Sequence, residues 1–137
     1  MNDSGNYFVL LEIPESRTVD VGALGKLNIK AGWYVYAGSA RKNLSSRLAR
    51  HLRKTGKKKH WHIDYLTPCA KTIEAFPVFT PRNMECRLAV ELENMGGRGI
   101  PGFGCSDCRC RSHLFYFSAS PDLAYLMPSI SDTVVSM

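Results

Sequence analysis

Residues 33–36 read Trp-Tyr-Val-Tyr. They run through Ala37-Gly38-Ser39 into a stretch, residues 41–59, that carries nine Lys and Arg and no carboxylate. Aromatic and β-branched residues in succession suit a pleated, half-buried surface, so 33–38 is predicted to be a strand that Gly38 ends. The basic stretch is predicted to be a helix through about Lys54, with Asn43 as its N-cap and Gly56 as its stop. Leu44, Leu48 and Leu52, at i, i+4 and i+8, make its expected buried stripe. Arg47, His51 and Lys54 fall on a different face. The chain must therefore bring a strand end, with its tyrosine and glycine, to the mouth of a positive helix.

Charge placement narrows the partner. From Val21 to Ile63 there are eleven Lys and Arg and no Asp or Glu, whereas the other seven basic residues are mixed with all 12 acids. One positive face on a balanced body is the footprint of a polyanion partner. DNA is the expected partner; charge alone does not separate it from RNA, and no membrane partner is expected. The expected contacts are Arg41, Lys42, Arg50, Lys54, Lys57, Lys58 and Lys59, with His60 and His62 lining the groove. No apolar run approaches the length of a membrane span. The first residues lack the pattern of a secretory signal, so a cytoplasmic location and reduced thiols are expected for the five cysteines.

The remaining segments predict an α+β domain, a small, mostly antiparallel sheet flanked by helices. Residues 6–14 form a buried strand, and 17–32 a hairpin or short strands between glycines. Residues 60–66 stay open between a short helix and a loop. Residues 71–80 form a strand placed at an edge by Pro77. Residues 83–95 form a second helix, capped by Asn83 and stopped at Gly96-Gly97. A loop and a last strand at 113–118 follow. The domain is expected over residues 1–120, with 121–137 as a tail.

Four features then stand in order: Gly5-Asn6-Tyr7, Tyr36-Ala37-Gly38, Arg47 with His51 one turn on, and Glu85 opening the later helix. In this order they resemble the GIY-YIG nuclease superfamily. With "YVYAGSA…RLARHL", "HWHIDYL", Glu85-Cys86 and "FGCSDCRCRSHLFYF", the chain is similar to a small stand-alone branch of it. That branch is known mainly from archaea and bacteria and is sometimes fused to an endonuclease III type glycosylase. The resemblance runs from about Gly5 to Phe117. Asn6 and Ala37 replace the family's central apolar residue in the two half-motifs, and the hairpin between them is an insertion.

The resemblance implies a metal-dependent endonuclease that hydrolyses DNA phosphodiester bonds in repair or processing. The alternative is a nucleic-acid-binding module that keeps the fold without cutting. Under the first reading Glu85, or alternatively Glu91, holds one Mg²⁺ or Mn²⁺, an ion that tolerates sparse protein ligation because it keeps its waters. Arg47 would neutralise charge on the phosphoryl oxygens. Tyr7 would orient or deprotonate the attacking water, Tyr36 would support the phosphate, and His51 would bond the phosphate or share the proton. Gly5 and Gly38 are the motif glycines.

Two further clusters carry metal-ligand chemistry. Cys105, Cys108, Cys110 and His113 could make a structural Zn²⁺ set, but their spacing is poor and reduced thiols are the expectation. His60, His62 and Asp64 would share one face if they lay on a strand.

Overall fold

The structure, a computed structural model, describes residues 3–54, 56–59, 61–78, 84–104 and 112–123. The elements are β1 (Gly5–Ile13), β2 (Arg17–Asp20), β3 (Lys26–Ile29), β4 (Gly32–Ala40), α1 (Leu44–Leu52), β5 (Thr72–Val78), α2 (Glu85–Asn94), β6 (Arg98–Gly99) and β7 (Leu114–Phe117). Short 3₁₀ turns at Gly22–Leu24, His62–Tyr65 and Thr67–Cys69 connect them. The fold is α+β, built on one sheet of order β5-β1-β4-β7-β6 whose neighbours all pair antiparallel. Pro77, on the outer strand β5, sits where a missing N–H is tolerated.

Both faces of the sheet are covered. This explains why β1 reads as a near-continuous apolar run rather than an alternation. Tyr7, Val9, Leu11 and Ile13 of β1 and Tyr34 and Tyr36 of β4 face one core. Leu44 of α1, Ile63, Leu66 and Phe103 close that core together with Val19, Val21 and Ile29 from the β2–β3 hairpin. The hairpin thus covers this face. Phe8, Leu10, Val35, Ala37, Phe115 and Phe117 point the other way and pack against Leu88, Ala89 and Leu92 of α2. Leu123 joins this second core and is buried, so packing continues past the expected boundary at residue 120. Residues 124–137, most of the expected tail, lie outside the described residues.

Both helix starts use long-range caps. Asn43 precedes α1 in the left-handed region (φ 57°, ψ 40°), and its side chain makes no capping bond. Asp3 caps instead: its carboxylate accepts from Ser45 N–H at 3.0 and 3.2 Å and from Ser45 Oγ at 2.9 Å, and its carbonyl accepts from Leu44 N–H. A carboxylate there also complements the helix dipole. For α2 the expected cap, Asn83, lies outside the described residues, but Asn6 Oδ1 accepts from Met84 N–H at 2.8 Å. The end of α2 is as expected: Gly96 has φ 98°, and Gly97 N–H bonds back to Leu92 O.

The buried stripe of α1 corrects the expectation. Leu44 is buried and Leu48 partly so, but Leu52 is 45% exposed and His51 is 0% exposed. At 100° per residue, position 51 returns to within 20° of position 44, whereas position 52 overshoots by 80°. Strict helical phase therefore selects the histidine over the leucine.

Candidate active site

Tyr7 and Gly38 are direct partners across the β1–β4 ladder, and β4 runs on to Ala40, so Gly38 lies within the strand rather than ending it as the sequence predicts. The Tyr7 ring lies across the glycine: a Cβ on Gly38 would sit 2.5 Å from both Cζ and Oη of Tyr7. Residues 5–7 and 36–38 are thus mechanically linked, since Gly38 makes room for Tyr7. Gly5 opens β1 opposite Ala40. Tyr36 stands on the same face of the sheet, its ring centroid 6.4 Å from that of Tyr7.

His51 arrives from α1 and completes the cluster. Its Nε2 lies 3.0 Å from Tyr7 Oη in a buried hydrogen bond. Its ring stands 5.3 Å from Tyr7 and 6.2 Å from Tyr36, edge-on to the latter. Nδ1 is buried with no hydrogen-bond partner among the described residues. Burial pulls the imidazole down to about 4; Asp64 opposes that shift, and Lys57, Arg47 and Arg50 add to it. His51 is therefore neutral at pH 7, and its Nε2 can accept the Tyr7 proton in the tautomer that keeps a proton on Nδ1.

Trp61 roofs this cluster. Its ring lies 5.6 Å from His51, edge-on. The guanidiniums of Arg47 and Arg50 lie 4.7 and 4.9 Å from its centroid. Arg47 Nη1 donates to Ser39 O at 2.6 Å, which fixes this half-buried cation beside the end of β4.

Asp64 organises the cations. Its carboxylate is fully buried; it accepts from Arg50 Nη1 at 2.9 Å on both oxygens and from Trp61 N–H at 2.9 Å. Lys57 Nζ stands 3.7 Å away and also donates to Arg50 O. Burial, the largest influence, lowers the Lys57 pKa, with Asp64 opposing. On a strand Asp64 would share one face with His60 and His62 and could hold a metal there. The 3₁₀ turn at His62–Tyr65 removes the shared face that reading needed, and Asp64 anchors cations instead. Its signal was present: it is the first acid after the acid-free stretch.

The expected nucleic-acid contacts divide. Arg41, Lys42, Lys58 and Lys59 are exposed, Lys59 lying over the Tyr65 ring at 5.6 Å. Arg50 is turned inward to Asp64 and to Lys58 O, and the Lys57 side chain is only 4% exposed. Lys54 is exposed and donates to Lys71 O. His62 is half-buried, accepts from Gly104 N–H at Nδ1, and has its pKa lowered by burial. His60 lies outside the described residues.

The acids come from the opposite side of the sheet. Glu85 is the first residue of α2, which packs on the second core, not on the tyrosine face. The Asn6–Met84 bond ties the residue before Glu85 to the residue before Tyr7, so the start of α2 is anchored at the same sheet end. An apolar residue at position 6 could not hold the Met84 N–H. The Glu85 side chain lies outside the described residues; Glu91 is half-exposed further along α2.

Among the described residues no group of three or more His, Cys, Asp and Glu side chains could hold a metal ion. Cys105, Cys108 and Cys110 lie outside them. His113 is buried, with Nε2 3.8 Å from Cys86 Sγ. Cys69 is a free thiol, but Cys86 is disulfide-bonded, which corrects the expectation of reduced thiols throughout. Among the described residues no helix is long and apolar enough to cross a membrane.

No curated protein and no solved structure matches the chain. The family described as domain of unknown function DUF123 does match, over residues 6–135, and the chain belongs to that family.

Proposed function

We propose that this chain is a GIY-YIG-like endonuclease that hydrolyses phosphodiester bonds of DNA in repair or processing. The observation that carries the reading is the Tyr7–His51 hydrogen bond, with Tyr36 and Arg47 beside it. Two residues 44 apart in sequence meet where the half-motifs predict a reactive hydroxyl.

The chemistry runs as follows. Neutral His51 accepts the Tyr7 proton at Nε2 as Tyr7 Oη takes a proton from the attacking water. The water oxygen bonds to phosphorus, the bond to the leaving alkoxide breaks, and that oxygen gains a proton from solvent. Arg47 neutralises the phosphoryl oxygens with a forked donor pair. Removal of such a donor typically costs about 3 kcal/mol of transition-state stabilisation. Glu85 would hold the divalent ion, with Glu91 as the alternative. The fit rests on the anchoring of Met84 to Asn6, which fixes the backbone before Glu85 at the Tyr7 end of the sheet. When bound, Mg²⁺ or Mn²⁺ supplies positive charge to the phosphate and the leaving oxygen.

The test is nicking of plasmid and structured oligonucleotides with Mg²⁺ or Mn²⁺. Wild type should cut, while Tyr7→Phe and Glu85→Ala should fold and not cut. Equal cleavage by wild type, Glu85→Ala and Glu91→Ala would assign the activity to a contaminant. A second reading, binding without cutting, is favoured by one observation: Tyr7, Tyr36 and His51 are 2%, 6% and 0% exposed. It predicts salt-sensitive DNA binding that is indifferent to metal.

A further inference from the structure

A pocket lies at the opposite end of β4 from the tyrosine cluster. Six residues separate Gly38 from Gly32, about 20 Å along a strand. There the Tyr116 ring crosses Gly32 as Tyr7 crosses Gly38: a Cβ on Gly32 would sit 2.5 Å from the Tyr116 ring. The ring is held by its hydroxyl, which donates to Ala31 O, and by edge-on contact with Tyr34 at 5.3 Å. The cavity beside it measures ≈ 540 Å³, within the range of small-molecule sites.

Its chemistry is two-sided. Met95, Phe117 and Pro121 supply apolar surface. Lys30 and Arg98, both exposed, bring positive charge to the same cavity, and Lys30 Nζ stands 5.0 Å over the Tyr116 ring. No carboxylate lines it among the described residues. Two cations beside an aromatic and apolar wall suit an anion with a flat, weakly polar body.

We propose that this pocket binds a nucleotide, with its phosphate between Lys30 and Arg98 and its base on the apolar floor. The nucleotide is either free or the phosphorylated end of a strand. This site is independent of the cutting reaction and stands whether or not the Tyr7 cluster is catalytic.

The test is amide NMR of the full chain titrated with adenosine 5′-monophosphate, adenosine, inorganic phosphate and a 5′-phosphorylated oligodeoxynucleotide. The mononucleotide should shift the amides of Lys30, Gly96, Arg98 and Ser118 saturably. Adenosine and phosphate alone should bind more weakly. Lys30→Glu and Arg98→Glu, both at exposed positions, should each weaken the mononucleotide by about tenfold, as loss of one charge-assisted hydrogen bond does. Tyr7→Phe should leave these shifts unchanged. Tighter binding of the oligonucleotide assigns a strand end as the ligand; equal or weaker binding assigns the free nucleotide. Absence of shifts at millimolar mononucleotide would overturn the proposal, as would equal binding of phosphate alone or wild-type affinity in both charge-reversed variants.

Discussion

His51 offers the sharpest test of how the tyrosine cluster is built. In the unfolded chain its imidazole protonates near 6.5; in the folded protein burial lowers that to about 4. Between those values the unfolded state binds more protons. Stability is therefore full above about 6.5, falls as pH drops through the window, and levels off below about 4. At about 1.36 kcal/mol per pH unit, the gap corresponds to about 3 kcal/mol. Carboxylates and other histidines titrate nearby, so the assay compares wild type with His51→Gln, which keeps a polar side chain and cannot titrate. Urea unfolding at half-unit steps from pH 7 to pH 4 should show the wild-type curve falling more steeply, by about 3 kcal/mol over the window. The imidazole signal of His51 should meanwhile remain that of the neutral ring down to about pH 4.5. Parallel stability curves, or a His51 midpoint near the ordinary 6.5, would refute the reasoning and with it the neutral acceptor for Tyr7.

Other perturbations follow from the same geometry. Gly38→Ala should destabilise by about 2 kcal/mol, measured by urea unfolding, and displace the Tyr7 ring, because the new Cβ meets that ring at 2.5 Å in a packed core. Asp64→Ala should lose about 3 kcal/mol by the same assay, since it strands Arg50 and the nearly buried Lys57 without their carboxylate. Lys58→Glu with Lys59→Glu should flatten the salt dependence of DNA binding, by up to about 0.9 in log–log slope for each lost phosphate contact; Lys57→Met should not, because Lys57 faces Asp64. Asn6→Leu should destabilise by about 1 kcal/mol by removing the acceptor for Met84 N–H, seen as faster amide exchange in the first turn of α2.

Much of the fold was legible in the sequence. Residue type and turn residues predicted strands at 6–14, 33–38, 71–80 and 113–118, two helices and a hairpin, and the structure has strands at 5–13, 32–40, 72–78 and 114–117. The site was legible as a set of residue types but not as a set of contacts. Asn43 looked like the cap of α1, yet the bond comes from Asp3, which reaches Ser45 across 42 residues. The sequence predicts Leu52 on the buried stripe and His51 on a different face, since a leucine row at i, i+4 and i+8 is the simplest apolar pattern. The 3.6-residue period puts His51 closer to the buried line, and only the facing tyrosines make that position hospitable to a ring nitrogen.

By itself the sequence determined the strands, the helices and the acid-free positive stretch, because each depends on neighbours within a few residues: apolar and aromatic runs, helical period, like charges in a row. The tertiary structure alone decided that Tyr7 meets His51, that Asn6 holds Met84 across 78 residues, and that α2 lies behind the sheet. These outcomes depend on which face each element turns toward its distant partners. That choice is made by the packing of two cores at once, and no local spacing records it.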